Sequence, residues 1–241
     1  MSGFVCSCDP VHRAFTRRPP PWLCIDCVTE HAPSPAVVAG RVAARLGTRF
    51  GEWFTDDEIT DVVLDSYRRF THLDGHAAHP RALTAQFAAD RLDARLFAAR
   101  ARDAQRPPSV LFLCAGNAGR SQIAAAVARA LGGDRVRVVS AGDAPAPRIL
   151  PPVVEVLDEI GVPVIGEYPK PTTDDLVAAA DTIVLLNCDD EPEVLGGREA
   201  IHWSIPLAHA SGRTGMRRTR DDIAQRVAGL LASIGVPPAS L

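Results

Sequence analysis

Apolar and polar positions change rhythm along this chain, and the change falls at Arg106-Pro107-Pro108. Ahead of it, three stretches repeat apolar residues at intervals of three and four: V-V-A-G-R-V-A-A-R-L from Val37, D-D-E-I-T-D-V-V-L-D-S-Y-R-R-F from Asp56, and A-L-T-A-Q-F-A-A-D-R-L-D-A-R-L-F-A-A-R from Ala82. This spacing predicts three amphipathic helices within 36–106, a small all-α domain. Thr55, followed by Asp56, Asp57 and Glu58, is a helix start, with acids placed to meet the helix dipole. The two prolines then break the helical pattern and set a boundary.

Beyond the boundary short apolar runs alternate with helical ones. Strands are expected at 110–114, 136–140, 182–186 and 202–205, and helices at 121–131, 151–160, 173–180 and 219–234, with a short segment near 162–165. Such alternation predicts an α/β fold: a parallel four-stranded sheet flanked by helices over 109–241. Residues 1–35 lack either rhythm and form a proline-punctuated, cysteine-containing tail.

Composition narrows the function classes. The net charge of −3 disfavours a nucleic-acid partner, and the arginines of the helical segment are nearly balanced by acids, so no basic recognition face stands out. No apolar run approaches the roughly 20 residues that cross a bilayer, and the amino terminus lacks a signal-peptide core, so a cytoplasmic protein with no membrane partner is expected. Six cysteines then point to metal or redox chemistry before structural disulfides. Cys6 and Cys8, with Cys24 and Cys27, make two close pairs that can hold zinc, with His12 and His31 as substitutes; a disordered or redox-active tail is the alternative. His72, His76 and His79 cluster between helices without matching cysteines or acids, as solvated loop residues do.

The chemistry concentrates in V-L-F-L-C-A-G-N-A-G-R-S, from Val110 to Ser121. A buried strand runs into a loop of small residues and then a helix. At that junction backbone N–H groups and the helix dipole converge on one concavity suited to a tetrahedral oxyanion. Gly116 and Gly119 let the backbone curl, and Asn117 tolerates a left-handed conformation. Ala115 and Ala118 are the loop's other small residues. Arg120 adds a planar fork for two anion oxygens. The positive field favours the thiolate of Cys114, the nucleophilic form, and the Ser121 hydroxyl can donate to it. An inert buried thiol is the commoner fate of a lone cysteine, but Cys-x5-Arg-Ser between strand and helix is more specific than that. The Gly-Lys-Ser/Thr ending of a nucleotide-binding P-loop is absent.

On these residues the chain resembles the low-molecular-weight protein tyrosine phosphatases and the arsenate reductases that share their fold, from about Val110 to Gly235. The resemblance implies a phosphotyrosine phosphatase I-like (flavodoxin-like) sheet, Cys114 as nucleophile and Arg120 as anion clamp. It further implies that residues 115–121 bind phosphate or arsenate, and that Ser140, in Ser140-Ala141-Gly142, braces the loop by a hydrogen bond to Asn117. The helical segment resembles the three-helix domain preceding the catalytic part of some bacterial arsenate reductases, which implies a homodimer.

The ranking of reductase over phosphatase turns on Cys188, which follows strand 182–186 toward the same rim. The resemblance places it at the first resolving cysteine of thioredoxin-linked arsenate reductases; a buried strand-end cysteine is the alternative. A resolving thiol leaves a disulfide, so the partner is an external thiol reductant, thioredoxin-like, glutaredoxin-like or a low-molecular-weight thiol, with no bound cofactor. Two departures stand out. No second resolving cysteine follows in D-D-E-P-E-V, so either an outside thiol reduces the Cys114–Cys188 disulfide or Cys24 and Cys27 act as a shuttle. Leu207 stands where the family carries its acid in Trp-x-x-x-Asp-Pro, and His209 is the nearest substitute. The expectation is an arsenate reductase, with a tyrosine phosphatase or a catalytically weakened oxyanion-binding relative as alternatives.

Overall fold

The structure is a computed structural model that describes residues 35–71, 80–101, 103, 105–187, 193–206 and 212–239. Helices α1 (Pro35–Phe50), α2 (Asp56–Thr71) and α3 (Pro80–Ala99) make the helical part. Thr55 closes the start of α2 in a reciprocal box: its backbone N–H donates to Glu58 Oε2 at 2.8 Å, and the Glu58 N–H donates to Thr55 Oγ1 at 3.3 Å. The two bonds satisfy donors that no helical carbonyl can reach. Phe50, Ile59, Val62, Val63, Ala88 and Leu92 form the core these helices share.

The second part alternates as expected. Strand β1 (Ser109–Leu113) leads through the loop to α4 (Arg120–Gly132), then β2 (Arg137–Ala141), α5 (Pro151–Asp158), α6 (Asp174–Ala178), β3 (Thr182–Leu186), β4 (Ile201–Trp203) and α7 (Gly212–Ser233). All pairings are parallel, in the order β2-β1-β3-β4. The chain therefore turns one way after β1 to reach β2 and the other way to reach β3, and the crevice beyond the carboxyl end of β1 is the switch point where ligands bind in such sheets.

Each sheet face is covered differently. Val110, Phe112, Val138, Val184 and Leu186 pack with α4, α5 and α7. On the other face Leu111, Leu113, Ile183 and Leu185 share a core with Leu176 and Val177 of α6 and with Phe70, Phe87 and Ala94 of the helical part. So the helical part is a structural layer against the sheet. Arg91 and Arg95 of α3 clamp the two oxygens of Asp175, each at 2.6 Å, which fixes α3 on α6. Arg106 and Asp181 pair in two bonds of 2.9 and 2.6 Å at the boundary.

Element ends moved by a residue or two from their expected positions, with one larger correction. Helix α7 begins at Gly212, well before residue 219. Its first turns (G-R-T-G-M-R-R) show no apolar rhythm because Arg213 and Arg217 face Glu155 of α5 and Glu159 just after it in ion pairs of 3.0 and 2.8 Å. Only Gly215 and Met216 are buried there before Thr219. Among the described residues no helix is long and apolar enough to cross a membrane.

Candidate active site

The anion loop, residues 114–120, fills the switch point. The carbonyls of residues 115–119 are engaged elsewhere: Ala115 O accepts from Ala144 N at 3.0 Å, Gly116 O from Ala146 N at 2.8 Å, Ala118 O from Leu150 N at 3.0 Å and Gly119 O from Ile123 N at 3.0 Å. Asn117 O accepts from Gln122 Nε2 at 3.1 Å. In a trans peptide the N–H points opposite to the carbonyl, so these bonds turn the following N–H groups inward. The amides of residues 115–119 make no hydrogen bond among the described residues. A row of free donors at a helix start is an arrangement that suits an oxyanion.

Asn117 holds that curl. It takes the left-handed conformation, φ 44°, and its side chain is fully buried. Its Oδ1 accepts from the Lys170 N–H at 2.9 Å, and its Nδ2 donates to Ser121 Oγ at 2.9 Å. Ser121 Oγ also lies 2.9 Å from Cys114 Sγ. Ser121 Oγ accepts from Asn117 and still has its own proton, which it can donate to the sulfur. Cys114 itself is buried, 4% exposed. Gly142 seals the floor: a Cβ there would overlap Cys114 O and come within 2.6 Å of Ala115 O and 2.9 Å of Asn117 N.

The expected bond from Ser140 to Asn117 is absent. Ser140 Oγ is buried without a partner among the described residues, and the Asn117 amide is held instead by Lys170, Gln122 and Ser121. The loop is braced instead by Gly142 and by the segment 168–170.

Arg120 makes no ion pair with a described carboxylate; Nη1 donates to Ile205 O at 3.4 Å, leaving its fork available. Ile205 is held in turn by Asn187, whose Oδ1 accepts its N–H at 2.6 Å, with Asn187 at φ 50° directly after β3. The sequence places Asn187 at this rim without a role, and nothing in it marks Gln122, Tyr168 or Lys170. A left-handed Asn after a strand is a recognisable signal; backbone bonds from Lys170 are not.

Lys170 and Tyr168 reach the helical part. Tyr168 donates its phenol to Asp90 of α3 at 2.6 Å, and Lys170 Nζ lies 4.0 Å from Asp90 and 3.9 Å from Glu167. Burial pushes the Lys170 ammonium down, opposed by Asp90 and Glu167. Burial pushes the Asp90 carboxyl up, opposed by Lys170 and Tyr168. The Tyr168 phenol is raised well above its ordinary value by burial and then by Asp90.

Cys188, Leu207 and His209 lie outside the described residues, as do Cys6, Cys8, Cys24, Cys27 and the histidines at 72, 76 and 79.

A cysteine at the base of a Cys-x5-Arg loop lies between the first strand and helix of a parallel four-stranded sheet, the arrangement of an α/β fold. The chain belongs to the low molecular weight phosphotyrosine protein phosphatase family, whose model matches residues 109–236, while a protein-tyrosine-phosphatase-like N-terminal domain model matches 40–95. Similar proteins include the arsenate reductase of Halalkalibacterium halodurans, 32% identical over 49% of this chain and 91% of that protein. The glutaredoxin arsenate reductase of Synechocystis is 26% identical over 52% of this chain and 97% of its own length. Among solved structures, the thioredoxin-dependent arsenate reductase of Corynebacterium glutamicum superposes with a TM-score of 0.71 at 33% identity, over 83% of this chain and 97% of that one. That likeness extends through the helical part.

Proposed function

We propose that this protein is an arsenate reductase, with 36–106 as a packing domain and 109–241 as the catalytic domain. The observation that carries the chemistry is the cup of unbonded amides around Cys114, with the carbonyls of residues 115–119 bonded elsewhere. Likeness to a thioredoxin-dependent arsenate reductase over 83% of the chain favours reduction over hydrolysis.

Arsenate sits on the amides of 115–119 with two oxygens on Arg120. The Cys114 thiolate, steadied by Ser121, attacks arsenic, and one arsenate oxygen leaves as water. Cys188, as thiolate, then attacks Cys114 Sγ. The S–As bond breaks, its electron pair stays on arsenic, and arsenite departs from a Cys114–Cys188 disulfide. An external thiol reductant, thioredoxin-like or glutaredoxin-like, returns two electrons to that disulfide.

Arsenate-dependent NADPH oxidation with thioredoxin and its reductase tests the reading, with Cys188→Ser stopping turnover but sparing arsenate binding. No oxidation with thioredoxin, glutaredoxin or a small thiol would refute it. The matched family model favours a tyrosine phosphatase as second reading; Leu207 in the acid's place argues against fast ester cleavage, since general acids supply about 10²–10⁴-fold. Hydrolysis of an aryl phosphate with no arsenate reduction would select it.

A further inference from the structure

A cleft of about 640 Å³ opens at the amino-terminal edge of the sheet. Arg137 is the first residue of β2 and Pro107 lies just ahead of β1, whereas Cys114 follows the last residue of β1. The length of β1 thus separates the cleft from the anion loop. Four guanidiniums line it, from Arg100, Arg106, Arg129 and Arg137, against one carboxylate, Asp134.

Three of the four have partners: Arg100 with Asp103 at 3.0 Å, Arg106 with Asp181 at 2.6 Å, and Arg129 with Glu167 at 2.8 Å. The Arg137 side chain makes no hydrogen bond or ion pair among the described residues, and only lies over the Phe97 ring at 4.9 Å, beside Arg106 at 4.4 Å from the same ring. Burial holds the Arg137 guanidinium below its ordinary value; Asp93 and Asp90 oppose this, and Arg106 and Arg129 add to it. Asp90 and Asp93 face Arg137 across the adjoining cavity without pairing with it, so on the cleft side, beside Arg106 and Arg129, the half-buried fork keeps its donors unmatched, and an anion there would satisfy them. Nothing in the catalytic reading uses this group.

We propose that this cleft is a second ligand site, for a small organic phosphate whose phosphate is gripped by Arg137 and whose body lies against Phe97 and Pro107. The cavity volume is within the range of small-molecule sites and larger than a bare oxyanion needs. Guanidinium suits phosphate, because its planar fork meets two oxygens at once. Such a ligand joins α3 to the edge of the sheet.

Calorimetric titration of glycerol 3-phosphate into the full-length Arg120→Met variant, whose other anion site has lost its clamp, tests this. Binding of one equivalent is expected. Adding Arg137→Gln should weaken it by about 10-fold or more, with the variant still folded by circular dichroism, since Arg137 makes no ion pair among the described residues. Should Arg137→Gln fail to fold, Arg100→Gln at the exposed rim decides, with several-fold weakening expected. Absence of binding, binding indifferent to both arginines, or equal affinity for malate would overturn the phosphate site.

Discussion

Tyr168 donates its hydroxyl to Asp90 of the helical part at 2.6 Å, while its own carbonyl accepts from Gln122 behind the anion loop at 3.2 Å. One residue thus touches both halves of the molecule, and the Lys170 amide two residues on holds Asn117. Tyr168→Phe keeps the ring and removes only the hydroxyl. It should cost about 1.5–3 kcal/mol, as for a bond to a charged acceptor, and weaken arsenate binding several-fold. Urea unfolding and an arsenate titration check this; a stability loss with unchanged affinity would separate the helical part from the site.

Asn117→Ala should be more damaging to the cup than to the core. It strips partners from the Lys170 amide and from Ser121, two groups in a buried network, and leaves Ala at φ 44°. Unsatisfied buried groups cost about 1–3 kcal/mol each. The expected outcome is a folded protein, by circular dichroism, whose melting temperature no longer rises with arsenate or phosphate.

Gly142→Ala places a methyl against the backbone of Cys114, Ala115 and Asn117, where no flexible side chain can yield. A destabilisation of about 1–3 kcal/mol is expected from overpacking, together with loss of oxyanion protection. Unchanged anion binding would show that the floor is softer than this packing implies.

The capping box of α2 supplies a pH signature. The backbone N–H and then the hydroxyl of Thr55 hold the Glu58 carboxyl below its ordinary value. A depressed folded pKa means the contribution is fully present above the unfolded value and fades as pH falls through the folded one. Glu58→Gln should therefore destabilise the protein at pH 7 and approach the parent as pH falls through the folded value of Glu58. Melting curves across that interval test it; a constant difference would reject it.

The layout of the sheet was legible because its apolar runs are continuous and its first loop carries its own punctuation, from Cys114 to Ser121. The capping box at Thr55 was legible for the same local reason. The start of helix α7 was not, since its first turns are fixed by Arg213 and Arg217 meeting Glu155 of α5 and Glu159 just after it, contacts that leave no apolar period. The brace on Asn117 was assigned to Ser140, whereas backbone groups of Lys170 and the Gln122 side chain supply it; a backbone donor carries no residue-type signal. The packing of Phe70 and Phe87 on the sheet was equally hidden, because an apolar helix face does not name its partner.

Arsenate chemistry at Cys114 is most directly tested by one turnover without reductant. Reduced protein mixed with arsenate should release one equivalent of arsenite per chain, and peptide mass spectrometry should find Cys114 joined to Cys188. No arsenite, or arsenite with Cys114 left as a free thiol, would contradict the account.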